Sequence, residues 1–105
     1  MRKTIKSHTV EIYMAGDYAQ AQQVCREYCM KGLCVTIHPC EYIYKGGQET
    51  GFVVGLRRYP KFPTDAHYIH EQAESLGNML KDRLCQDSYM LVTPEITTWV
   101  TDRDI

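Results

Sequence analysis

Three cysteines fall within ten residues, "CREYCMKGLC" (25–34), and a fourth, Cys40, follows six positions later. Thiols gathered this way could ligate a metal, exchange a disulfide or act as nucleophiles. The spacing decides among these. Cys25 and Cys29 lie one helical turn apart, yet C-x3-C-x4-C-x5-C lacks the tight x2 knuckle of zinc ribbons and fingers and the x4/x2 run of plant-type iron–sulfur sites. There is no C-x-x-C pair, and five cysteines, an odd number, do not suggest a disulfide framework. The expectation is that the cysteines fill a core as small apolar side chains, with no metal and no cofactor. His67 and His70, three apart in "HYIH", could clamp a metal with Cys25 or Cys29, but no further ligand is placed by motif to complete the set.

Two other groups of residues suit binding. The loop "RRYPKFP" (57–63) interleaves Arg57, Arg58 and Lys61 with Tyr59 and Phe62 and stiffens them with two prolines. Guanidinium groups bind phosphate through paired N–H donors and aromatic rings stack on bases, so the loop fits a nucleotide or an acidic protein patch. The alternative is that Tyr59 and Phe62 pin a connector over the end of the core. No Walker loop, G-x-G-x-x-G, G-x-S-x-G or HExxH is present, which leaves P-loop, Rossmann, serine-hydrolase and zincin chemistry without a motif. No catalytic residue is assigned.

The elements that position these residues follow from periodicity. "HTVEIYM" (8–14) alternates Val10, Ile12 and Met14 against Thr9, Glu11 and Tyr13, the pattern of a half-buried strand. Asp17 can cap a helix from Tyr18 to about Lys31, with Ala21, Val24, Cys25 and Tyr28 on one face and Gly32 as its stop. A second strand spans Leu33 to about Lys45, a Gly46-Gly47 hairpin loop follows, and "ETGFVVGLRRY" (49–59) returns as the third. Pro39 confines the second strand to a sheet edge or a bulge. Ile69, Ala73, Leu76, Leu80 and Leu84 mark a second helix capped by Thr64 or Asp65, and "SYMLVTPEITTWV" holds a strand over 88–92 and a short one over 96–100.

The order β-α-β-β-α-β with right-handed crossovers predicts an α+β, ferredoxin-like split βαβ fold, a four-stranded antiparallel sheet with both helices on one face and room for a short fifth strand. Residues 1–7 form a basic tail and 8–105 the single domain. The hairpin loop pairs Lys45 with Gln48, Tyr42 with Gly51, Ile37 with Leu56 and Thr36 with Arg57. Val35, Ile37, Phe52, Val54 and Leu56 then share the core face. The face away from the helices carries Thr36, His38, Cys40, Tyr42, Tyr44, Glu49, Gly51, Val53, Gly55 and Arg57, joined by Glu11 and Tyr13 from the first strand and by Tyr89 and Leu91 from the fourth.

The fragment "IYMAGD" (12–17) resembles the first-strand motif of RNA-recognition domains, which implies that Tyr13 stacks on a base. In "TGFVVGLRR", however, Phe52 belongs to the core face and Val54 stands where a second stacking aromatic is needed. Size and architecture are similar to those of small accessory proteins of bacteriophages and mobile elements. That likeness implies a protein that sequesters a nucleotide signal or blocks a host protein.

Composition adds bounds. Hydrophobic residues make up 44% and charged residues 24%, and the net charge of -1 gives no basic field for nucleic acid or an anionic membrane. No long apolar run marks a signal or a span, so the expected compartment is the cytosol. The leading reading is a non-enzymatic binding module, a homodimer, that takes a small anionic ligand or a host protein through Tyr13, His38, Tyr42, Arg57, Arg58, Tyr59, Lys61 and Tyr89. Single-stranded nucleic acid ranks second and a small enzyme using open-face acid–base groups third.

Overall fold

The computed structural model describes residues 1–104. Val10, Ile12 and Met14 alternate with exposed-side neighbours and so form β1 (Thr9–Ala15), the three apolar side chains buried under the helices. Asp17 accepts the Gln20 N–H at 2.9 Å and starts α1 (Tyr18–Cys29), which buries Ala21, Val24, Cys25 and Tyr28. The chain leaves this helix through Gly32 at φ +110°, where the N–H groups of Gly32 and Leu33 both bond to the Cys29 carbonyl, at 2.9 and 3.2 Å. β2 (Thr36–Tyr44) and β3 (Gly47–Arg57) form the hairpin. Asp65 caps α2 (Ala66–Arg83), and β4 (Ser88–Val92) and β5 (Thr97–Thr101) close the chain.

The sheet order is β2-β3-β1-β4-β5, with every neighbouring pair antiparallel. This is the ferredoxin-like α+β arrangement with β5 added as an edge beside β4. Pro39 sits on the opposite edge strand, β2, where a missing N–H donor costs least. Phe52, Ile12, Leu76, Leu80, Leu91 and Val54 are almost wholly buried between the sheet and the two helices. Each such side chain stabilises the fold by roughly 1.5–3 kcal/mol relative to exposure.

Two expectations are corrected. The hairpin turn is Lys45-Gly46, not Gly46-Gly47, so Tyr44 pairs Gly47, Tyr42 pairs Glu49, Ile37 pairs Val54 and Thr36 pairs Gly55. This turn takes positive φ at its second residue, and Gly46 at +83° supplies it without steric cost. The strands therefore slide by two residues, which leaves every side chain on its expected face. Second, β2 begins at Thr36 rather than Leu33, so Cys34 lies outside the sheet, close to the end of α1.

Long-range polar contacts fix what the core does not. Arg83 grips Glu27 of the other helix with two bonds of 2.7 and 2.9 Å, which hold the Glu27 carboxyl down at about 2. After β5 the chain folds back. Lys81, 8% exposed, donates to Asp102 at 2.6 Å, and the Asp102 N–H bonds to the Asp87 carbonyl at 2.8 Å. Among the described residues no helix is long and apolar enough to cross a membrane.

Candidate functional site

The helices cover one side of the sheet only. On the other, side chains of successive strands stand in rows fixed by register: Tyr13 on β1 lies between Val53 of β3 and Met90 of β4, and Met90 pairs with Trp99 of β5. Tyr42 reaches across from β2 because Gly51 has no side chain. A β-carbon there would come within 2.6 Å of the Tyr42 ring and 2.5 Å of the Met14 carbonyl oxygen. Tyr13, Tyr42, Glu49, Ser88, Met90, Trp99 and Arg103 thereby line one open hollow of about 200 Å³.

Its electrostatics are mixed. The Tyr13 hydroxyl donates to Glu11 Oε1 at 3.4 Å, and the Tyr44 hydroxyl donates to Glu49 Oε1 at 3.3 Å. Burial pushes the phenols of Tyr13 and Tyr42 up, with Glu11 beside the first and Cys40 beside the second adding to the shift. Both hydroxyls therefore stay protonated, as donors, at neutral pH. Arg103 bonds to Asp87 at 3.0 Å, and its guanidinium lies 6.0 Å from the centre of the Trp99 ring. With that cation paired and Glu49 in the wall, the hollow does not present a net positive surface.

The residues singled out from the sequence do not come together in one site. Tyr13 and Tyr42 meet in the open-face hollow. His38 is exposed on the same face, opposite Val53, but does not line that hollow. Arg57 and Tyr59 line a second, more apolar cavity of about 210 Å³ with Leu33, Cys34, Leu56, Phe62, Tyr68, Ile69 and Gln72. Lys61 is exposed on the same loop, 5.5 Å from the Phe62 ring centre. Arg58 is committed to structure, its Nε donating to the Thr64 carbonyl at 2.8 Å and its Nη1 to the Lys6 carbonyl at 3.1 Å.

Tyr89 and Leu91 are corrections of a different kind, for their side chains point into the core. Tyr89 is 2% exposed, its ring pressed on Gly77 of α2 and its hydroxyl donating to Asn78 Oδ1 at 2.7 Å. Burial pushes its phenol up to about 12. The open-face residues of β4 are Ser88, Met90 and Val92, and with them comes Trp99, which the sequence reading passed over. The signal was available in principle: Trp99 and Met90 occupy corresponding phases of the two strands that flank "TPE".

The cysteines need revision as well. Only Cys25 is core filler, 5% exposed with its thiol pushed up to about 11 by burial, whereas Cys29 and Cys40 are half-buried and Cys34 and Cys85 exposed. Among the described residues no three His, Cys, Asp or Glu side chains are grouped to hold a metal ion. Cys25 and Cys29 border a groove against β2, while His67 and His70 line a separate cleft with His8 and Pro94.

No family model matches the chain, and no curated protein matches it by sequence. Solved structures do match by shape. A phage SAM lyase in complex with S-methyl-5'-thioadenosine superimposes with a TM-score of 0.70 at 10% identity, over 96% of this chain and 94% of that one. The phage SAM lyase in its apo state gives 0.65 at 11% identity, over 93% and 91% of the two chains. CutA from Synechococcus elongatus, complexed with a Bis-Tris molecule, gives 0.53 at 18% identity, over 92% and 87%. These likenesses establish the fold.

Proposed function

We propose that this protein is a small binding module that takes a planar, nucleoside-sized ligand on the open face of its sheet, between Tyr13, Tyr42 and Trp99. One observation carries the reading: three aromatic side chains from three different strands converge on a single hollow. Ring faces stack on planar groups and attract cations, each stacked base contributing about 1–3 kcal/mol. The Tyr13 hydroxyl, its proton given to Glu11 in a hydrogen bond, supplies an acceptor oxygen. A neutral or cationic ligand suits this wall better than the anion expected from the sequence, because Glu49 faces in and Arg103 is paired to Asp87. That a similar fold holds S-methyl-5'-thioadenosine supports a nucleoside as the class to test first.

Trp99 is the chain's one tryptophan, so its emission reports on the hollow. Titration with adenosine and with S-methyl-5'-thioadenosine is expected to change that emission along a saturable curve, with affinity weakened roughly tenfold in Tyr13→Ala. Emission that no nucleoside alters would retire the reading.

The same face supports self-association as a homodimer, because Tyr44, Met90 and Trp99 stand 53%, 36% and 45% exposed on it. Sedimentation of the wild type against Trp99→Lys tests this. A dimer that the lysine dissociates is expected, and a wild type that stays monomeric at high concentration overturns it. Exposed free thiols at Cys34 and Cys85 accord with a reducing, cytosolic setting.

A further inference from the structure

The binding reading leaves unused a thiol arrangement at the end of α1. Cys25, Cys29 and Cys34 line one groove of about 330 Å³ between that helix and β2, together with Leu33, Val35 and Ile37. Cys29 is the last residue of the helix and Cys34 lies five positions on, beyond the tight turn in which Gly32 and Leu33 both donate to the Cys29 carbonyl. Val35, the residue after Cys34, lines the same groove as Cys29. Cys34 is exposed, and its sulfur accepts the Tyr59 hydroxyl at 3.6 Å. One thiol is thus open to solvent and hydrogen-bonded, and the second, half-buried, lines the same groove.

We infer that Cys29 and Cys34 are an oxidisable pair, in which a peroxide oxidises Cys34 and Cys29 closes a disulfide across the Gly32 turn. In the first step the Cys34 sulfur attacks a peroxide oxygen. The O–O bond breaks, a sulfenic acid forms, and the leaving hydroxide takes up the thiol proton as water. In the second, the Cys29 sulfur attacks Cys34, the S–O bond breaks and a second water leaves. The two thiols supply the two electrons that reduce one peroxide. The order of roles follows from access: the exposed Cys34 sulfur meets the oxidant first, while Cys29 is half-buried and shielded from it.

The consequence reaches the loop cavity. Cys34 and Tyr59 both line it, so drawing the Cys34 sulfur toward Cys29 removes the partner of the Tyr59 hydroxyl and loosens the 57–63 loop. Cys25 does not compete, being buried with its own thiol pushed up to about 11.

The test is peptide mapping of the folded protein after limited hydrogen peroxide. Cleavage after Arg26, Lys31 and Lys45 puts Cys29 in peptide 27–31 and Cys34, with Cys40, in peptide 32–45. The expected product is these two peptides joined, with fragmentation assigning the bond to Cys34. Cys34→Ser should abolish the link, and Cys29→Ser should leave a Cys34 sulfenic acid that dimedone traps. Tyr59→Phe, which keeps the ring, should slow oxidation of Cys34 by roughly fivefold, the factor expected for one hydrogen bond. A link to Cys25 or Cys40, or Cys34 oxidised to the sulfonic acid with Cys29 untouched, overturns the inference.

Discussion

Two tyrosines on opposite faces of one sheet use the same device to different ends. Tyr89 lies on Gly77 of α2, and Tyr42 lies on Gly51 of β3. In each case a β-carbon on the glycine would come within 2.5 or 2.6 Å of the ring. On the helix side the ring is sealed, and its hydroxyl is held by Asn78 and the Glu74 carbonyl, which fastens α2 to the sheet. On the open side the ring is half-exposed and forms the wall of a hollow. The lesson is that a tyrosine over a glycine becomes a structural bolt or a recognition surface according to what covers its other face.

The contrast is most sharply tested by truncation. Tyr89→Ala should cost about 3–5 kcal/mol of stability, in the range of large aromatic deletions from a core, whereas Tyr42→Ala should cost under about 1 kcal/mol and act on ligand binding instead. Urea unfolding of both variants measures this, and equal losses would erase the distinction between the two faces.

A finer test adds bulk instead of removing it. Gly51→Ala meets the Met14 carbonyl and the Ala15 Cα of the adjacent strand as well as the ring, so backbone has to move. It should destabilise by about 2–3 kcal/mol. The nearest atoms to a β-carbon at Gly77 all belong to the Tyr89 ring, not to backbone, and the alanine recovers about 1 kcal/mol of helix propensity, so its net cost should be the smaller of the two. Thermal melts of the pair read the order directly.

A further difference between the two faces lies in alkaline stability. Tyr89 ionises near 10 when unfolded and at about 12 when folded, so the native state holds its proton more tightly. Its contribution is complete below pH 10 and is lost as the pH rises through 12. Unfolding free energy followed over that window should fall less steeply in Tyr89→Phe than in the wild type. Parallel slopes would mean that the hydroxyl is not sealed.

Most of the fold was legible because it rests on local patterns. Val10, Ile12 and Met14 alternate unambiguously, Ile69 to Leu84 repeat at helical spacing, and Asp17 and Asp65 occupy the helix starts. The site was less legible because its phase depends on distant partners. "SYMLV" is apolar in both phases, so nothing within it says that Tyr89 goes inward. That is decided by Gly77, twelve residues earlier, which leaves space for the ring. Arg57 and Arg58 look alike in sequence, but Arg57 ends β3 and lines a cavity, whereas Arg58 lies beyond the strand. The carbonyls of Lys6 and Thr64, which claim Arg58, carry no sequence signal at all. Arg103 enters the hollow only because Lys81 and Asp102 turn the chain back after β5.

The Lys45-Gly46 turn also sets a rule for how this hairpin could change over evolution. Moving a two-residue turn along the chain slides one strand past the other by an even count, and every inward side chain stays inward. A single inserted residue in the turn shifts the count by one. Ile37 would then exchange faces with His38, unless a longer loop or a bulge absorbed the extra residue. Variants of this protein should therefore keep the parity of the strand pairing at the hairpin tip, taking up odd insertions in a longer loop or a bulge.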